Sequence, residues 1–115
     1  MGKLSTKAVR YGVRYYKMDG TPYTGPNAMM NWAKDFEEQD RIIGRTPLPG
    51  GGRVSTVWLG LDHNFIMGGP ILIFETMVFS KLGEALDQQR YSTLKEARKG
   101  HKETVKRWTA KAKAK

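Results

Sequence analysis

The chain has 115 residues, no cysteine and a formal net charge of +9. That length suits one domain with a single core, taken here as residues 1–115, and the lack of cysteine excludes disulfides and cysteine-based zinc or redox sites. No apolar run approaches the roughly 20 residues of a membrane span, and the start, MGKLSTKAVRYG, holds no apolar stretch of a secretory signal.

The first predicted element is a strand. Val9, Tyr11, Val13 and Tyr15 alternate with Arg10, Gly12, Arg14 and Tyr16, the period of a half-buried strand. Upstream of it, Gly2 and Thr6 fit the short N-myristoylation pattern, which recurs by chance. Asp19-Gly20 marks a turn, and TPYTGPN continues as loop. NAMMNWAKDFEEQD reads as a helix: Asn27 is placed to cap it, and Met29, Trp32, Ala33 and Phe36 fall at helical spacing. RIIGRT is a short strand. PLPGGG, with two prolines and three glycines, reads as a flexible loop.

Arg53–Leu61 and Ile71–Phe79 are the strongest strand predictions, dense in Val, Thr, Ile, Phe and Trp. The second is apolar on both faces and so is expected to be central and covered. Their connection, DHNFIMGGP, is long for a hairpin, and loops of that length carry function more often than tight turns do. A last helix follows, started by a Thr93–Glu96 capping box. Leu94, Ala97, His101, Val105 and Trp108 lie on one stripe of it, and Gly100 either weakens the helix or permits close packing. The order strand, helix, three strands, helix gives an α+β fold: a small, mostly antiparallel sheet with two helices packed on one face. The basic segment 1–8 and the tail 109–115 are expected to be flexible.

The charge is uneven along this order. Residues 90–115 carry ten Lys and Arg against two Glu, and residues 1–17 carry five basic residues and no acid. Two basic ends flanking a mildly acidic body suit an anionic partner, either nucleic acid or a nucleotide, or else solvated tails. Arg98, Lys99, Lys102 and Lys106 are the candidate contacts on the last helix, because Lys and Arg gain affinity for polyanions by releasing counterions. Trp58 is either core or a stacking surface.

Asp62, His63 and Asn64, at the end of a strand, allow two readings. Asp and Asn there commonly bond their own backbone and form a turn. Alternatively, His63 is a base, with Asp62 or Glu75 orienting it, as in a small hydrolase or nuclease. Glu75 lies mid-strand in LIFETMVF, where it needs a partner such as Arg53 or Arg90. His101, on the apolar stripe, reads as a core histidine bonded to a backbone carbonyl. No HxH or HExxH spacing occurs, so no metal is expected, and GGP at 68–70 reads as turn chemistry rather than a phosphate cradle. No cofactor is expected.

VSTVWLGLDHNF, then GGP, LIFETMVF and RYST…EA…GH together resemble a family of small phage and prophage proteins with no assigned activity. The likeness runs from about Tyr15 to about Val105. Family members carry GGGPP after the His loop, whereas here NFIMGGPI has Ile71 in place of the second proline. The resemblance implies a setting, the cytoplasm of a bacterial host or the virion, and not a mechanism. The expected function is a non-enzymatic accessory protein that engages nucleic acid, a nucleotide or a host defence component through the Trp58–Asn64 segment and the basic helix. A virion or assembly protein is one alternative, and the His63 hydrolase is the other.

Overall fold

The computed structural model describes residues 14–64 and 68–114. Most of the strand expected from Val9, the Gly2–Thr6 pattern and segment 1–8 lie outside them. Within them, Tyr15 and Tyr16 form isolated bridges to Leu61 and Pro22. Asp19-Gly20 turns as expected, the Asp19 carboxylate accepting from the Thr21 N–H at 2.8 Å.

Helix α1 spans Ala28–Glu38. Asn27 sits at its N-cap, but its side chain makes no capping hydrogen bond. The first amide instead donates to the Gly25 carbonyl at 3.2 Å, so a backbone turn does the capping. Trp32 and Phe36 form the inner stripe, in contact with Tyr15 and Trp58.

Four strands follow: β1 (Ile42–Pro47), β2 (Arg53–Trp58), β3 (Phe74–Phe79) and β4 (Ala85–Tyr91). They form one antiparallel sheet in chain order. Strand period places Val54, Thr56 and Trp58 on one face, opposite Val78, Thr76 and Phe74, and all six are buried. The β2 and β3 ladders are shorter than the sequence suggests. Beyond Trp58, Leu59 and Gly60 both donate to the Ile73 carbonyl, at 2.7 and 3.3 Å, and regular pairing ends there. β3 is central, yet the described helices cover only one of its faces: Glu75, Met77 and Phe79 are half-buried on the other.

PLPGGG is a hydrogen-bonded hairpin turn rather than a flexible loop. Leu48 N–H donates to the Gly52 carbonyl at 2.7 Å, and the Leu48 side chain is buried with Val54 and Val78. β4 is a strand the sequence hides. Asp87, Gln88, Gln89 and Arg90 mask its alternation, and Tyr91 is its buried anchor.

Helix α2 runs from Leu94 to Lys113. Thr93 caps it, its hydroxyl accepting from the Glu96 N–H at 3.1 Å. Ala97, Gly100 and Thr104 are buried against the sheet. The stretch expected as a tail from Thr109 continues the helix to Lys113, in keeping with the helix propensity of Ala and Lys. Phe36 of α1 packs on Trp58 at 6.1 Å, and Val105 and Trp108 of α2 pack on Val54 and Val78. Val54 and Trp58 share a face, so both helices cover the same side of the sheet and the fold is α+β.

Candidate functional site

Asp62 is 7% exposed. One of its oxygens accepts from the Asn64 and Leu72 N–H groups, each at 2.9 Å. The carboxylate therefore makes the turn and ties it to the far end of the loop. His63 N–H donates to the Leu72 carbonyl at 2.9 Å, and its ring Nδ1 lies 2.7 Å from the Leu61 carbonyl. A carbonyl only accepts, so Nδ1 is the donor in this bond. That partner is a carbonyl rather than a carboxylate, so the acid–imidazole pairing of a general base is not built at Nδ1. Asn64 closes the trio: its amide donates to the Pro70 carbonyl at 2.6 Å and holds GGP as a turn.

Glu75 stands apart from this loop. Its carboxylate accepts from Arg90 Nε at 3.0 Å and from Gln88 Nε2 at 2.8 Å, both on β4. Its mid-strand position is thus explained by a cross-strand ion pair on the helix-free face, and the hydrolase reading draws nothing from it. Trp58, expected from the sequence as either core or a stacking contact, is fully buried and its indole N–H donates to the Tyr16 carbonyl at 3.1 Å. It is a core side chain and offers no stacking surface. Among the described residues no three His, Asp or Glu side chains gather as metal ligands, and no described helix is long and apolar enough to cross a membrane.

His101 bonds hydroxyls rather than the expected carbonyl. Its Nδ1 lies 2.7 Å from Thr56 Oγ1 and its Nε2 lies 2.9 Å from Thr46 Oγ1. Thr56 in turn bonds Thr76 Oγ1 at 2.5 Å. One imidazole thereby joins α2 to β1 and β2, and through Thr76 to β3. The close approach requires Gly44, where a Cβ would lie 2.9 Å from the ring. Burial holds the His101 pKa below its ordinary value. A second clip reaches β4: Asp87 accepts from Trp108 Nε1 at 3.1 Å and from Arg107 at 3.0 Å. Those two donors, Trp108 first, hold its carboxyl below the usual carboxylate range.

With its inner side fixed to all four strands, α2 turns one side outward. Lys95, Arg98, Lys99, Lys102, Lys106 and Lys113 are all exposed. At 3.6 residues per turn they fall within about 100° of arc, along a ridge of about 27 Å. Glu96 and Glu103 lie outside that arc, on its flank. Lys111 is on another side, its ammonium 4.4 Å from the Trp108 ring centre. Beside it, a cleft of about 670 Å³ opens between the two hairpin turns and the end of α2, bordered by Leu48, Leu86 and Trp108.

The face of the sheet away from the two helices carries two further charges, Arg45 and Arg53, of which Arg53 was expected as a partner of Glu75. Thr46 and Gly44 face His101, so Arg45 points the other way, as does Arg53 beside the buried Val54. The signal was present as strand alternation, with Arg45 next to Gly44 and Thr46 and Arg53 next to Val54. No protein-family model, no curated protein and no solved structure matches this chain.

Proposed function

We propose that this chain is a non-enzymatic module that binds a polyanion, nucleic acid before other partners, in the service of a phage or prophage. The observation that carries this reading is the outer side of α2, where six exposed cations share one arc and the helix's two acids stand outside it. A rigid row of cations neutralises successive phosphates without paying to order a loose tail. The His101 and Asp87 clips supply that rigidity.

The test is binding of a labelled duplex and a labelled single strand as a function of salt. Four phosphate contacts give roughly a hundredfold loss of duplex affinity between about 50 and 200 mM salt. The double variant K99E/K102E, at two exposed positions, lowers the slope of log affinity against log salt by about two. Absence of binding at low salt removes the reading.

A further inference from the structure

Both helices lie on one side of the sheet, and among the described elements nothing covers the other. Across that side run two neighbouring rows of paired residues. One is Arg45, Ser55, Met77 and Gln88, and the next contains Arg53 opposite Phe79. Arg45 and Arg53 are exposed, while Met77 and Phe79 are half-buried and so keep part of their surface to solvent. The Arg53 guanidinium lies 4.4 Å from the Phe79 ring centre. Glu75 is the acid that the paired strands place on this side, and Arg90 and Gln88 already bond it. Arg45 and Arg53 are therefore its uncompensated charges.

We infer that this face binds single-stranded nucleic acid, with unpaired bases stacking on Phe79 and the Arg53 guanidinium while Arg45 holds a phosphate. The inference rests on the polyanion reading of α2 and adds the class of strand. An arginine over an aromatic ring makes a flat, sequence-tolerant platform for bases. Four strands at sheet spacing span about 14 Å. Four-stranded sheets of that kind stack two or three unpaired bases on their aromatic side chains. A duplex hides its base faces and presents only edges in its grooves, so a flat platform selects the unpaired strand. A second copy of this chain is disfavoured as the occupant, because face-to-face pairing sets arginine against arginine with the one carboxylate already engaged.

The α2 ridge and this face lie on opposite sides of the sheet, so variants separate them. The full chain is titrated against a labelled single strand of about 12 nucleotides and against the matching duplex. R45A/R53A removes exposed side chains, and F79L keeps an apolar side chain but removes the π-face. Each is expected to weaken single-strand binding about tenfold while duplex binding stays within about twofold. K99E/K102E weakens both. Unchanged single-strand binding in R45A/R53A and F79L overturns the inference and leaves the α2 reading intact. Equal losses on both ligands also overturn it, since charge alone would then act. Loss in R45A/R53A and F79L but not in K99E/K102E sinks the α2 reading instead. Absence of binding to either ligand overturns both.

Discussion

At Asp62 a single carboxylate oxygen holds two backbone amides, which ties residue 62 to residue 72 across the loop. D62A leaves both amides without that acceptor and is expected to cost about 2 kcal/mol in urea denaturation. D62N keeps a carbonyl acceptor and should cost markedly less; equal losses would show that the negative charge matters more than the acceptor. At His101 the sign of the pH effect follows from burial. The folded imidazole has the lower pKa, so the unfolded chain binds more protons as pH falls below about 6.5. The contribution is complete above that pH and is lost as pH drops towards the folded value. Thermal melts between about pH 5 and 8 should show this slope in the wild type and lack it in H101Q. Asp87 acts in a lower range, below about pH 4, where its depressed pKa means that stability falls as the carboxylate gains a proton. The turn at Asp62 was legible because Asp bonds the amide two residues on. The Leu72 bond was not, since it joins residues ten apart through a loop of unspecified path. The same holds for His101: the apolar stripe marks its direction, but only packing brings in Thr46 and Thr56.

Elements with strong local signals were readable. β2 and β3 announce themselves by branched and aromatic residues, and α2 by its cap and its stripe. β4 was not readable, because Gln88 and Arg90 on its outer side and Asp87 and Gln89 on its inner side are all polar; it is a strand through pairing with β3 rather than through its own composition. Helix α2 carries a sharper test. A Cβ at Gly100 would run into the Tyr91 ring and hydroxyl. Helix propensity alone predicts that G100A stabilises by about 1 kcal/mol. Overpacking predicts a loss of about 1–3 kcal/mol, and the loss is the expected result in thermal or urea melts. The double variant G100A/Y91F removes the hydroxyl and should recover part of it.

For the whole molecule, the +9 charge is not spread evenly. Among the described residues the largest cluster of cations is on the outer side of α2, with a smaller one on the opposite side of the sheet. An association steered by such a field should be slower as well as weaker at high salt. Stopped-flow mixing with a duplex should therefore show the on-rate of K99E/K102E below that of wild type at low salt, the two converging as salt rises. An on-rate insensitive to both would mean that the charges act only after contact.

All four strands precede α2 in the chain, and among the described elements α2 alone covers the middle of their inner face. During synthesis, Val54, Thr56, Thr76 and Val78 are therefore all made before the helix that covers them. A released chain that ends at Tyr91 has the strands without α2, which leaves Val54 and Val78 without that cover and makes it prone to aggregate. Release of a chain stopped after Tyr91 should give insoluble protein, and supplying residues 92–115 as a separate peptide should restore solubility. The helix that carries the row of cations is thus also what guards this sheet against aggregation.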